Sequence, residues 1–191
     1  PFKLAREKGD DVVMQDEQPL NAKPEKIPHL KPAFRADGSV TAANASSISD
    51  GAAALIVSSQ THMQQAGLPC RARILGHASQ AQEPAWFSTA PIFATRKLLD
   101  RLNWRVEDVD LWEVNEAFAV VPMAFMNELD ISGDIINVHG GACALGHPIG
   151  ASGARIIVTL LHAMERRDVQ RGIAAVCIGG GEGTAIALER P

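Results

Sequence analysis

The chain has 191 residues, of which 46% are hydrophobic and 21% are charged, and its formal net charge is −4. This length and composition are sufficient for the core of a globular domain. The densest basic cluster is the pair Arg166 and Arg167. A nucleic acid or an anionic membrane would need more cationic side chains to neutralise its phosphates, so we expect neither as a partner.

The cysteines Cys70, Cys143 and Cys177 follow no paired spacing. Free thiols suit a reducing compartment, and we expect a cytoplasmic location. No apolar run reaches the roughly 20 residues of a membrane-spanning helix, and the first residues have no apolar core of a secretion signal. The chain begins with Pro1 instead of Met, which suggests a trimmed or partial product.

The first 40 residues are polar and rich in proline without a sustained period, so they are predicted to form a loop. The apolar run AAALIV at 52–57 follows Asp50 and Gly51 and predicts a buried strand. A short helix is then expected at 60–67, ending at Gly67.

From residue 71 onward the pattern alternates regularly between strands and helices. Strands are predicted at 71–79, 110–114, 135–138, 174–180 and 184–189, and helices at 90–103, 116–129 and 148–167. The order βαβαβαββ predicts an α/β fold, with a mainly parallel sheet covered by helices on both faces. The last hairpin is expected to add an antiparallel edge strand.

Three polar or reactive residues lie near the ends of predicted strands: Asn115 follows DLWEV, His147 follows IINV after a glycine turn, and Cys177 ends the apolar run AAV. Ligands of such sheets bind beyond the carboxyl ends of the strands, so these side chains are expected to share one crevice. Glycine runs flank His147 and Cys177 and bring backbone N–H groups close to a ligand. The combination is typical of acyl transfer, although no primary nucleophile is evident.

Each of these residues also has a structural interpretation. His147 precedes Pro148, which suits the first turn of a helix, so the imidazole could cap that helix. Cys177 could be an inert small hydrophobic residue in an apolar strand. Asn115 could be the N-cap of the next helix, with Glu116 interacting with the helix dipole.

A metal site and a dinucleotide site are both disfavoured. The set His139, Cys143, His147 and Cys177 lacks the tight spacing of zinc ligands on regular elements. The glycine run GGGEG at 179–183 leads into a strand, whereas a dinucleotide loop leads into a helix. We therefore expect no metal and no bound cofactor.

Three segments carry a resemblance to a known family: NEAFA at 115–119, GGACALGHPIGASGARI at 140–156 and CIGGGEGTA at 177–185. They resemble thiolases, and among them the acetyl-CoA acetyltransferases. The segment at 41–54 is similar to a further thiolase stretch. Thiolases have two similar halves, and the resemblance implies that this chain lacks the amino-terminal half with the acyl-accepting cysteine.

The resemblance also implies a domain organisation. Residues 1–40 correspond to a remnant of the thiolase loop region. Residues 41–69 correspond to the terminal strand and helix of the amino-terminal half, and residues 70–191 to the carboxyl-terminal domain.

The resemblance assigns catalytic roles residue by residue. His147 corresponds to the histidine that activates the nucleophile and helps to bind the thioester oxygen, and Asn115 to the residue that holds a water in the same oxyanion hole. Cys177 corresponds to the cysteine that moves the α-proton, and Gly179 to a backbone donor of a second oxyanion hole. A thiol in that role needs a lowered pKa, which the glycine loop and His147 are expected to provide.

Two substrate-binding residues follow from the same resemblance. Ser46 aligns with a serine that contacts the pantetheine arm, although Ala43 and Ser47 replace the usual glycines beside it. Phe87 lies where thiolases line the acyl pocket, and its bulk favours a short acyl chain. His139 and Cys143 depart from the family pattern and receive no catalytic role.

The implied reaction is the reversible Claisen condensation of two acetyl-CoA molecules to acetoacetyl-CoA and CoA, a step of fatty acid metabolism. Coenzyme A thioesters are then substrates, and the parent protein is expected to be a homo-oligomer, a dimer or a tetramer. This chain alone is expected to be inactive. The alternative is a non-catalytic, truncated module that binds CoA or serves assembly.

Overall fold

The computed structural model describes residues 2–7 and 9–191, so Pro1 and Lys8 lie outside the described residues. The opening segment contains more regular structure than the loop prediction allowed. Strands β1 (Phe2–Leu4) and β2 (Asp11–Val13) form an antiparallel hairpin, followed by helix α1 (Glu17–Asn21) and a 3-10 helix (Pro24–His29). These elements are short and mostly exposed, which is why their sequence carries no sustained apolar period.

The predicted strand at 52–57 is absent, which corrects that expectation. Ile56 is 96% exposed and Val57 is 72% exposed. A strand needs a neighbour for its backbone hydrogen bonds, and the described residues supply none along this run. Helix α2 (Gln60–Gln65) follows as predicted, and the chain leaves it through Gly67 at φ +64°.

The main sheet of the described residues has four strands, in the order β3 (Arg73–Ala81), β6 (Glu182–Glu189), β5 (Arg171–Ile178) and β4 (Leu111–Val114). Only β4 and β5 pair in parallel, whereas β5–β6 and β6–β3 are antiparallel. The α/β class is confirmed, but the expectation of mainly parallel pairing is wrong for these strands. Strand β6 also lies inside the sheet and not at its edge as expected, because β3 pairs with the side of β6 that faces away from β5.

The predicted strand at 135–138 is reduced to a short parallel contact beside β4. Trp112 donates its backbone N–H to Ile135 at 2.8 Å, and Asn137 donates to the Trp112 carbonyl at 2.9 Å. Asn137 then adopts φ +46°, which ends the extended conformation. This segment nevertheless continues the sheet beyond β4 in the parallel sense.

Helices cover both faces of the sheet, as predicted. A 3-10 helix (Pro84–Thr89), α3 (Ala90–Leu102), a 3-10 turn (Val106–Asp108) and α4 (Val120–Leu129) follow β3 and β4 in the chain. Leu98 and Phe125 of α3 and α4 join Trp112 in the core on one face. On the other face, α5 (Ala142–Leu145) precedes α6 (Ser152–Arg167).

Helix α6 packs closely on the sheet. Its residues Ile156, Leu160 and Met164 form a second core with Leu111 and Leu188. A Cβ at Gly172 would lie 2.7 Å from the Met164 sulfur, so a side chain there would push the helix away. Gly150 and Gly153, by contrast, have open space around them and are not needed for close packing. Over residues 2–7 and 9–191, no helix has the length and apolar character that crossing a membrane requires.

Candidate active site

The site lies where parallel strands β4 and β5 end side by side. The backbone N–H of Asn115 donates to the Ala175 carbonyl at 2.9 Å and so extends this ladder by one residue. The Asn115 side chain is 0% exposed. Cys177 follows two residues after Ala175 on β5. Neighbouring parallel strands therefore deliver Asn115 and Cys177 to the same edge of the sheet.

His147 reaches this edge from the loop between α5 and α6. Its backbone N–H donates to the Ser47 carbonyl at 2.9 Å, and Ile48 forms a bridge with it. Gly146, immediately before, has φ +94°, and a Cβ there would collide with the Ser49 hydroxyl. Only glycine can therefore occupy position 146. The close approach of the loop to Ser49 fixes the position of the His147 backbone, from which the imidazole extends.

The His147 imidazole is held at both nitrogens. Its Nε2 atom lies 3.3 Å from Nδ2 of Asn115, and its Nδ1 atom lies 2.6 Å from Oγ of Ser152. The Ser152 hydroxyl in turn donates to the Pro148 carbonyl at 3.0 Å. Hydrogen bonds at both ring nitrogens leave the imidazole little rotational freedom.

A buried ion pair lies behind Asn115. Arg155 on α6 donates through Nη1 to Oε1 of Glu113 at 3.0 Å and through Nη2 to Oδ1 of Asn115 at 3.3 Å. Glu113, in the middle of β4, is 1% exposed, and burial raises the pKa of its carboxyl to about 7 although Arg155 opposes the rise. Burial and the positive charge of Arg155 both lower the pKa of His147. At neutral pH the imidazole is therefore uncharged.

Glu116 organises the glycine loop. Its carboxylate accepts hydrogen bonds from Nδ2 of Asn137 and from the backbone N–H of Cys143, both at 3.0 Å. A Cβ at Gly141 would collide with this carboxylate and displace it from these hydrogen bonds. Glu116 thus ties the start of α5 to the end of β4, instead of interacting with the dipole of α4.

Cys177 is placed as expected but not activated as expected. It is 7% exposed, and burial raises the pKa of its thiol to about 11, which corrects the expectation of a lowered pKa. The described residues bring no cationic group into hydrogen-bond contact with its sulfur, and none of their hydrogen bonds joins it to His147. Gly179, two residues on, is exposed with open space around it.

Ser46 and Phe87 both contact the segment that follows Asn115. The Ser46 hydroxyl donates to the Ala117 carbonyl at 2.9 Å, and its backbone N–H donates to the same oxygen at 3.1 Å. The Phe87 ring packs edge-on against Phe118, with centroids 6.2 Å apart. Ser46 therefore anchors its own segment to residues 117–119, and Phe87 packs against the same residues through Phe118.

The structure separates the alternative interpretations of these residues. Asn115 does not cap α4, which begins at Val120 without a side-chain cap, and His147 makes no capping bond to α6. Burial of Cys177 in the core is what the inert interpretation predicts. Among the described residues, no group of three or more His, Cys, Asp or Glu side chains is arranged to hold a metal ion.

Sequence reasoning missed Glu113, Ser152 and Arg155. A signal for the first was present, because a single carboxylate in the apolar strand LWEV needs a buried partner. The partner lies 42 positions away on α6. Nothing in the sequence indicates which arginine of α6 reaches it.

Comparison with known proteins decides the family. The family model described as "Thiolase, C-terminal domain" matches residues 68–190, and that described as "Thiolase, N-terminal domain" matches residues 1–61. The chain belongs to the thiolase family. The resemblance expected from the motifs is thereby confirmed.

Individual thiolases match along all or nearly all of the chain. An acetyl-CoA acetyltransferase of Pseudomonas aeruginosa is 50% identical over 192 residues, which cover 100% of this chain and 49% of the relative. The crystal structure of Bacillus anthracis acetyl-CoA acetyltransferase is 43% identical with a TM-score of 0.93, and the match covers 100% of this chain and 49% of that one. A thiolase from Ascaris suum in complex with coenzyme A is 41% identical with a TM-score of 0.85, and the match covers 94% and 47% of the two chains. The chain therefore spans about half the length of the thiolases it matches.

Proposed function

We propose that this chain supplies the histidine, asparagine and second-cysteine part of a thiolase site, in a protein that interconverts two acetyl-CoA with acetoacetyl-CoA and CoA. The observation that carries the proposal is the 3.3 Å contact between Asn115 and His147. An acyl transfer needs a base and a donor for the thioester oxygen in one place, and these two side chains provide both.

His147 acts first in this proposal. Its neutral imidazole takes the proton of the nucleophilic cysteine, which belongs to the half of the protein outside this chain. The resulting thiolate attacks the thioester carbonyl, the bond from the carbonyl to the CoA sulfur breaks, and the acyl group passes to the cysteine as CoA leaves as a thiol with the proton that His147 had taken. Asn115 holds a water beside the oxygen that becomes negative. A preorganised donor of this kind lowers the barrier by about 3 kcal/mol.

Cys177 acts in the second half-reaction. Its thiolate removes a proton from the α-carbon of the second acetyl-CoA, and the carbanion attacks the acyl-cysteine, releasing the cysteine thiolate and acetoacetyl-CoA. Gly179 donates a backbone N–H to the enolate oxygen. Because the Cys177 thiol in this chain has a pKa of about 11, we infer that the bound substrate and the other half of the protein lower it.

Binding and organisation complete the proposal. Ser46 contacts the pantetheine arm, and Phe87 limits the acyl pocket to short chains. We propose no bound cofactor, a cytoplasmic homo-oligomer, and the domain boundaries 1–40, 41–69 and 70–191. Without the acyl-accepting cysteine, the 191-residue chain is inactive alone.

A chimaera tests this function. The half of the Pseudomonas aeruginosa acetyl-CoA acetyltransferase that aligns with this chain is replaced by the chain, and thiolysis of acetoacetyl-CoA is measured. We expect activity that is lost with His147→Ala. A folded chimaera that binds CoA but does not turn over would instead favour the non-catalytic CoA-binding module.

A further inference from the structure

The buried pair Glu113–Arg155 is not part of the catalytic roles above, yet it touches one of the residues that carry them. Arg155 spans two partners with one guanidinium group, the carboxylate of Glu113 at 3.0 Å and the amide oxygen of Asn115 at 3.3 Å. Glu113 is 1% exposed, and the Arg155 side chain is 19% exposed. A planar guanidinium group can make two such bonds at once, whereas an ammonium group cannot match that geometry.

We propose that Arg155, oriented by Glu113, is a positioning residue that fixes the direction of the Asn115 amide and thereby the tautomer of His147. The proposal rests on the function proposed for Asn115 and His147. It adds a chain of hydrogen bonds that leaves the Nε2 atom of His147 without a proton, so that Nε2 is the basic nitrogen of the ring.

The donors and acceptors around Asn115 determine the orientation of its amide. A guanidinium group only donates, so the side of the Asn115 amide that faces Arg155 must be its oxygen. The NH2 group of Asn115 then faces His147. Because that NH2 group also only donates, the Nε2 atom of His147 has to accept, and it carries no proton.

The other ring nitrogen agrees with this assignment. With Nε2 unprotonated, a neutral imidazole carries its proton on Nδ1, which lies 2.6 Å from Ser152 Oγ. The Ser152 hydroxyl has one proton and donates it to the Pro148 carbonyl, so its oxygen is available to accept from Nδ1. Every member from Glu113 to Pro148 thus has a single consistent role.

Rigid elements hold the first two members of the chain of bonds. Glu113 lies within β4, paired with Ala174 of β5, and Arg155 lies in the first turn of α6. Flipping the Asn115 amide would place its oxygen at Nε2 and its NH2 group against the guanidinium, where two donors face each other. Arg155 therefore opposes the flip for as long as Glu113 holds it.

Nitrogen NMR on the protein labelled with 15N-histidine tests the proposal directly. The His147 signals are identified by their loss in His147→Gln, and the 15N shifts of the neutral ring show which nitrogen carries the proton. The variants are Glu113→Gln and the double variant Glu113→Gln with Arg155→Met, which differ only at Arg155. Arg190→Lys is the matched control, because the Arg190 side chain is 21% exposed, close to the 19% of Arg155, and donates to the Met164 carbonyl of α6.

We expect Glu113→Gln to keep the single Nδ1–H tautomer, because the glutamine oxygen still accepts from Arg155. The double variant should lose that single tautomer, and the His147 pKa should rise, because a nearby positive charge has been removed. If the double variant does not fold, Arg155→Lys is measured instead. Its ammonium group should pair with Glu113, release Asn115 and cause the same loss.

An unchanged tautomer in the folded Arg155 variants would overturn the proposal, and the pair would then only tie α6 to β4. The same loss in Arg190→Lys would overturn it as well, because any disturbance of α6 would then suffice. The NMR readout needs no turnover. A failure of the thiolase proposal would appear in the chimaera assay and leave the tautomer result intact, so the two failures are distinguishable.

Discussion

The Nδ2 atom of Asn115 lies 3.3 Å from the Nε2 atom of His147, although 32 positions separate the two residues in the sequence. Asn115 is carried by the end of a buried strand, and His147 by a loop that Ser47 and Gly146 hold in place. The contact therefore depends on several separate parts of the chain. It is also the observation on which the catalytic role proposed for this chain rests.

Cys177 should react slowly with iodoacetamide at neutral pH. Its pKa of about 11, against an ordinary 9.0, means about 10²-fold less thiolate, and the rate should rise about tenfold for each pH unit. Alkylation is followed by mass spectrometry of the Cys177 peptide, with a free peptide thiol as the reference. A rate at neutral pH equal to that of the reference would show that the thiol is activated in this chain.

Glu113 should make the stability of the chain depend on pH. Its pKa is about 7 in the folded chain and 4.5 ordinarily, so the folded state binds the proton more tightly. The free energy of unfolding should therefore fall as the pH rises from about 4.5 to 7, by up to about 3 kcal/mol relative to Glu113→Gln.

Urea unfolding of the wild type and Glu113→Gln at pH values across this range measures that difference. Asp37→Asn, at an exposed site, is the control and should follow the wild type. Parallel pH profiles of the wild type and Glu113→Gln would mean that the Glu113 carboxyl titrates alike in both states.

The isolated chain should show no thiolase turnover. In the proposed reaction the covalent acyl carrier belongs to the other half of the protein, and Cys143 is a poor replacement, because burial raises the pKa of its thiol to about 11. Thiolysis of acetoacetyl-CoA is assayed, and the protein is then examined by mass spectrometry. Robust turnover, or an acetyl group on Cys143, would refute this expectation.

The isolated chain should also self-associate. Ile48, Ile56, Val57 and Ile149 are each at least 69% exposed, which leaves apolar surface that favours association. Light scattering at micromolar concentration measures the effect. Ile56→Asp should reduce it, while Gln65→Asp, at another exposed position, should not. A compact monomer that binds no hydrophobic dye would count against an uncovered face.

Much of the fold was predictable because its signals are local. The alternation of strand and helix patterns from residue 71 predicted the α/β class and both covered faces, and the motifs predicted the thiolase family. The pairing of β6 with β3 was not predictable, since strand order depends on contacts between distant segments. The prediction of a strand at 52–57 was wrong for a related reason, because an apolar run forms a buried strand only where a neighbouring strand is present to pair with it.

For the candidate site, residue type and position at strand ends predicted that Asn115, His147 and Cys177 share one edge of the sheet. The structure brings Asn115 and His147 into contact and places Cys177 on the strand beside β4. The Arg155–Glu113 pair was missed, because the match between a strand carboxylate and a helix arginine exists only after folding. The prediction of a lowered pKa for Cys177 was wrong, because burial outweighs any stabilisation of its thiolate by the glycine loop.

The separation of the two half-reactions in the chimaera tests the central claim most directly. In Cys177→Ala, acyl transfer to the nucleophilic cysteine should persist, while deuterium exchange at the α-carbon of acetyl-CoA should slow by at least about 10²-fold. His147→Ala should impair acyl transfer as well. If Cys177 were only structural, Cys177→Ala would instead lower the free energy of unfolding by about 1 kcal/mol and affect both half-reactions alike. Exchange at the wild-type rate in a folded Cys177→Ala chimaera would contradict the account.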